Sequence, residues 1–223
     1  MQEPVQTTPT SSKPRCTGRA RRFWLVGGGM ALAAILLTLW VQWGQDVLIV
    51  RKWGVVQQGL VFRSGQISSW RIEGILKDNH IARVVSLSGE DEDADATFER
   101  KTCERLAVDR KVFMMSGDGV ASAEMYADAV AAIVESRKIG NPVLVHCHSG
   151  SQRTGAVVTL YRLLVLGDTP AKAREELLRY GHDPDRNPKL IRYVNQQMPE
   201  VARRLAAKGV IAGVPNPLPR LDQ

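Results

Sequence analysis

The chain has 223 residues, is 44% hydrophobic and carries a formal charge of +7, which is enough for one packed domain and an extension. Lys13, Arg15, Arg19, Arg21 and Arg22 against Glu3 place +4 of that charge in residues 1–22. The rest is too weakly basic to read as a nucleic-acid-binding face, and three cysteines, Cys16, Cys103 and Cys147, exclude a disulfide framework or a Cys-rich zinc site.

Residues 1–22, rich in Thr, Ser, Pro and Arg, cannot bury enough apolar surface to fold alone and read as a disordered basic tail. The uncharged run FWLVGGGMALAAILLTLWVQW, residues 23–43, would span roughly 31 Å as a helix, the thickness of a bilayer core. Trp24, Trp40 and Trp43 sit near its ends, where indole rings favour the headgroup level. It reads as a transmembrane helix. A cleaved signal peptide fits less well, because its apolar region is usually shorter and a small-residue cleavage site should follow. The basic cluster ahead of the run places the amino terminus in the cytoplasm and the domain on the non-cytoplasmic, periplasmic side.

The folded domain is expected over residues 44–210. GVVQQGLVFRSG reads as a strand pair, and IARVVSLS, KVFMM and PVLVHC read as three further strands. The acidic run EDEDADATFE, residues 90–99, reads as a solvated loop and helix start rather than a cation site. In ASAEMYADAVAAIVESRK the apolar positions Met125, Ala129, Val130, Ile133 and Val134 recur at helical spacing. Three more helical stretches follow PVLVHC: TGAVVTLYRLLVLG, TPAKAREELLRYG and residues 187–208. Strands alternating with helices predict an α/β domain with a central, mostly parallel sheet flanked by helices. The proline-rich end, residues 211–223, is expected to be a flexible tail.

HCHSGSQRTG, residues 146–155, joins the last predicted strand to the next helix, where open α/β sheets bind ligands. A loop opening into a helix amino terminus gathers backbone N–H groups that favour an anion. Gly150 relieves the tight turn, and Arg153 offers a planar fork to two phosphate oxygens. The positive field that holds phosphate also favours thiolate at Cys147. His146 and His148 flanking Cys147 do not make a metal site, since no second ligand cluster completes a shell. Nor is this a nucleoside-triphosphate loop, because Ala156 stands where lysine is required.

The H-C-x5-R-T pattern resembles the signature of the cysteine-dependent protein tyrosine phosphatases, in particular the dual-specificity branch. GLVFRSGQIS, VVSLSGEDEDADATFE and TLYRLLVLGDTPAKAREELLRYGHD are similar to segments of bacterial, membrane-anchored members, so the likeness covers roughly residues 54–205. It implies a phosphatase-like fold and a phosphocysteine intermediate on Cys147, with no metal and no organic cofactor. Arg153 and the backbone of His148, Ser149, Gly150, Ser151 and Gln152 would hold the phosphate. The family's general acid maps to Asp118, 29 residues before Cys147, in a Gly-Asp-Gly turn. Thr154 maps to the hydroxyl that assists the thiolate as leaving group, and His146 to the histidine that orders the loop. A rhodanese-like or arsenate-reductase loop would use a similar cysteine cradle, but Asp118 and the Arg153-Thr154 pair fit a phosphatase better.

The implied substrates are phosphorylated proteins (phosphotyrosine, phosphoserine or phosphothreonine) or small phosphomonoesters. A loop without lysine speaks against inositol phospholipids, which stay as an alternative beside an inactive phosphate-binding scaffold. A readily oxidised thiolate also raises the question of whether Cys103 pairs with Cys147.

Overall fold

The computed structural model describes residues 50–89 and 94–222, together with Leu32 and Thr38. The chain divides into Met1–Gln45 and Asp46–Gln223, and the architecture below belongs to the second unit. Five strands, β1 (Gly54–Gln57), β2 (Val61–Ser64), β3 (Arg83–Ser86), β4 (Asp109–Val112) and β5 (Val143–His146), form one sheet in the order β1-β2-β5-β3-β4. β1 and β2 are an antiparallel hairpin, while β2, β5, β3 and β4 run parallel. The expected mostly parallel α/β sheet is therefore present.

Six helices cover the sheet: α1 (Ser69–Asp78), α2 (Ala94–Leu106), α3 (Ala123–Lys138), α4 (Gln152–Tyr161), α5 (Pro170–Arg179) and α6 (Leu190–Ala207). Side chains alternate across a strand, and here the alternation sorts the core in two. Val61, Val85, Val143 and Val145 face the larger core with α3, α4 and α6. Phe62, Val84 and Leu144 face the smaller one with Ile72 and Leu76 of α1 and Cys103 of α2. Burial on both faces explains why β5 reads as an unbroken apolar run.

The register sets up the site. Ser64 of β2 and Ser86 of β3 both lie opposite His146 of β5, so three parallel strands end at one level and Cys147 follows at their carboxyl edge. Local chemistry fixes the helices nearby. The Ser122 hydroxyl caps α3 by accepting the Met125 N–H at 3.1 Å, and Thr169 caps α5 ahead of Pro170. α4 is buried from Arg153 to Tyr161 and continues as a π-turn, Arg162–Leu166, closed by Gly167 at φ 68°.

Three expectations change. Among the described residues no helix is long and apolar enough to cross a membrane, which overturns the reading of a single-pass protein with a periplasmic domain. The expected span, 23–43, and the expected tail, 1–22, lie outside the described residues apart from Leu32 and Thr38. β4 is Asp109–Val112 rather than KVFMM, because the chain leaves the sheet there, and Met114 is exposed. The proline-rich end is pinned rather than loose: Leu221 is fully buried in the larger core and its N–H donates to Asn195 Oδ1 at 2.9 Å.

Candidate active site

Residues 146–154 form the turn from β5 into α4, and a ring of contacts fixes its backbone. The His148 carbonyl accepts from the Gln66 N–H at 3.0 Å, and the Gly150 carbonyl accepts from Arg63 Nη2 at 3.0 Å. The His148 amide, expected to serve the phosphate, instead donates to Ser88 Oγ at 3.0 Å. Gly150 has φ +75°, and a Cβ there would stand 2.6 Å from the Gly65 nitrogen. Only glycine fits both the dihedral and the approach of β2. Cys147 is 1% exposed, and its Sγ accepts the Gly150 N–H at 3.2 Å. Arg153 is buried in the first turn of α4.

Two buried ion networks support this turn. Arg63, at the end of β2, reaches Glu176 Oε1 at 3.0 Å, and its guanidinium lies 3.8 Å above the Tyr180 ring. Burial pulls the Arg63 pKa down, while the charge and hydrogen bond of Glu176 oppose that pull. Glu176 also pairs with Arg162 of the π-turn, which holds Asp168 at 2.7 Å. On the other face of the sheet, Glu99 of α2 is 1% exposed. Its carboxylate lies 3.1 Å from His146 Nε2, off the direction of a regular hydrogen bond, and 2.9 Å from Arg110 Nε. Burial alone would raise the Glu99 pKa, but His146 and Arg110 outweigh it and hold the carboxyl below its ordinary value.

Asp118 is exposed in the turn after β4. The Ser116 hydroxyl, helped by the Val120 N–H 3.1 Å from Oδ1, holds its pKa below the ordinary carboxylate value against the opposing effect of burial. Gly119, at φ +89°, docks this turn: a Cβ there would stand 3.0 Å from the Gln152 carbonyl oxygen and 2.9 Å from Leu190 Cδ1. The Asp118 backbone thus lies beside the carboxyl half of the 146–154 turn, and Asn187 Nδ2 donates to its carbonyl at 2.7 Å. Gln152 in turn meets His182 Nδ1 at 2.8 Å. The Thr154 hydroxyl is buried and has no hydrogen-bond partner among the described residues.

Cys103 and Cys147 are free thiols in different cores, so they are not paired. Among the described residues no group of three or more His, Cys, Asp or Glu side chains gathers as metal ligands. Residues 90–93 of the acidic run lie outside the described residues, whereas Glu99 at its end is a buried partner of His146. Sequence reading missed Glu99, Arg110, Arg63 and Glu176. Each acts on the loop from a distant segment, and the only visible signal was the FRSG stretch in the family-like opening.

The signature, fold and loop define the cysteine-dependent phosphatase class. The model of the "PTP-SAK: Swiss Army Knife protein, DSP-PTPase phosphatase domain" matches residues 63–204, and the chain belongs to that family. Solved structures agree on the fold. The core catalytic domain of the PP-IP phosphatase SIW14 from S. cerevisiae is 16% identical, with 74% of this chain and 96% of that one covered at TM-score 0.60. A putative phosphatase from Shewanella putrefaciens is 18% identical, with 69% and 92% covered at TM-score 0.56. P. aeruginosa TpbA is 22% identical, with 66% and 84% covered at TM-score 0.53. No curated protein sequence matches the chain.

Proposed function

We propose that the domain hydrolyses phosphomonoesters of the phosphotyrosine, phosphoserine and phosphothreonine type through a phosphocysteine on Cys147. The observation that carries this reading is the Cys147 thiol at the carboxyl edge of β5, with the Gly150 N–H on Sγ at 3.2 Å and Arg153 in the first turn of α4. That a TpbA structure holds phosphotyrosine supports an aryl phosphate as substrate.

In the first step Sγ attacks phosphorus, the S–P bond forms, the P–O bond breaks, and the Asp118 carboxylic acid gives its proton to the departing oxygen. In the second step the Asp118 carboxylate takes a proton from water, whose oxygen attacks phosphorus. The S–P bond breaks, and phosphate and thiolate are released. Arg153 and the amides of Ser149, Gly150, Ser151 and Gln152 stabilise the charge spread over the transferring oxygens. The unpartnered Thr154 hydroxyl suits a hydrogen bond to the leaving sulfur, and His146, braced by Glu99, orders the loop.

Hydrolysis of para-nitrophenyl phosphate in a chelator tests the reading. Activity should persist with the chelator and vanish in Cys147→Ser. Activity that survives the substitution, or that requires added metal, would overturn it.

A further inference from the structure

The signature loop contains no lysine, yet one reaches it from outside. Lys52 lies just ahead of β1 and its Nζ donates to Ser151 Oγ, 99 residues away in sequence. Its backbone is left-handed, at φ 52°, a conformation that costs a non-glycine residue free energy and persists only where its surroundings impose it. Those surroundings are visible. The Arg51 carbonyl accepts from the Gly65 N–H at 2.7 Å, the Trp53 N–H donates to the Val50 carbonyl at 3.2 Å, and Trp53 stacks on Phe62 at 5.4 Å. Both flanks of Lys52 are therefore tied to β2 and the glycine that follows it.

A second left-handed residue clears the space on the far side. Gly181, after α5, has φ +88°, and a Cβ there would stand 2.5 Å from Lys52 Nζ and 3.4 Å from Ser151 Oγ. Two uncommon backbone conformations from opposite ends of the domain converge on one hydroxyl of the phosphate loop. Burial and the neighbouring Arg51 lower the pKa of the ammonium, Cys147 opposes them, and Arg63 adds to the lowering. A half-buried ammonium with two guanidinium neighbours, placed on Ser151 of a turn that favours anions, is suited to an added anion.

We propose that Lys52 is an off-signature cation of the phosphate cradle, which binds an oxygen of the substrate phosphate alongside Arg153 and supplies the charge that the loop sequence lacks. This rests on the reading of residues 146–154 as a phosphate site, but it does not require turnover. The test is inorganic phosphate binding by the full chain carrying Cys147→Ser, followed by calorimetry. Adding Lys52→Met should weaken phosphate binding roughly tenfold or more, as expected for a lost charge-assisted hydrogen bond. Lys52→Arg should restore most of it, and Gly181→Ala, which displaces the ammonium without removing it, should weaken it by a smaller factor.

In the otherwise native chain, Lys52→Met should lower the rate of Cys147 alkylation by anionic iodoacetate more than that by neutral iodoacetamide. A merely structural lysine would slow both alike. Phosphate affinity unchanged in Lys52→Met, or an unchanged ratio of the two alkylation rates, overturns the proposal. Phosphate binding that depends on Lys52 in a chain that hydrolyses no monoester would instead overturn the catalytic reading and leave this one standing.

Discussion

Cys103 and Cys147 are each 1% exposed, yet they occupy opposite faces of the sheet in opposite electrostatic settings. Cys103 packs with Ile72, Leu76 and Leu144, and burial, helped by the nearby Glu99 carboxylate, pushes its thiol up to about 12. Cys147 stands where a strand opens into a helix, with an N–H on its sulfur and Lys52 and Arg63 within electrostatic reach. Burial alone does not make a cysteine inert or reactive. Donors and cations aimed at the sulfur make the difference.

Substitution at the two thiols should show the contrast most strongly. Cys147→Ser is expected to lower kcat by on the order of 10⁴-fold or more, as for loss of a covalent nucleophile. Cys103→Ala should leave kcat within about twofold and cost about 1–2 kcal/mol of stability in urea unfolding, as expected for a small cavity. Comparable activity losses at both positions would erase the distinction.

The surroundings of Cys147 can be broken without touching its sulfur. Arg63→Met removes the guanidinium that holds the Gly150 carbonyl and leaves Glu176 without one of its two buried partners. An expected loss of about 1–3 kcal/mol follows from the buried acceptors left without a donor, the Glu176 charge still being held by Arg162, and denaturant midpoints would reveal it. Equal stability would mean that the network does not support the loop.

Asp118→Asn should lower kcat toward phosphoserine, a poor leaving group, by about 10²- to 10³-fold, and less toward para-nitrophenyl phosphate, whose leaving group needs little protonation. Because the Asp118 pKa lies below its ordinary value, its acid form populates only as pH falls. The wild-type rate on phosphoserine should therefore rise toward the acid end of the profile, and Asp118→Asn should flatten that rise. An unchanged profile would remove Asp118 from the acid role.

The smallest effect concerns the far side of the sheet. Glu99 has a lowered pKa in the fold, so its stabilising contribution is complete above the ordinary value of about 4.3 and is lost as pH falls through the folded value. Glu99→Gln should be less stable than wild type at pH 7, and the gap should narrow in acid. Urea midpoints measured across that range would show it, and a constant gap would mean that Glu99 does not act through its charge.

The sequence was most legible where function is local. HCHSGSQRTG carries the cysteine, turn glycine and arginine within one strand-loop-helix segment, and apolar β5 and the helical period of α3 placed that segment in the fold. Supports that depend on folding were not legible. Arg63 and Glu176 are 113 residues apart, and Lys52 and Ser151 are 99 apart, so no local pattern joins them. Glu99 looked like part of a solvated acidic run because its partners, His146 and Arg110, arrive from other strands. Leu221 was lost in a proline-rich end whose composition hides one buried anchor.

Covalent trapping tests the central claim most directly. The full chain is mixed with para-nitrophenyl phosphate, quenched in denaturant within the first turnover, digested and analysed by mass spectrometry. The account predicts a phosphate on the sulfur of Cys147 and none on Cys103, with the label absent from Cys147→Ser. Turnover without any phosphorylated cysteine, or with phosphate carried on another residue, would contradict it.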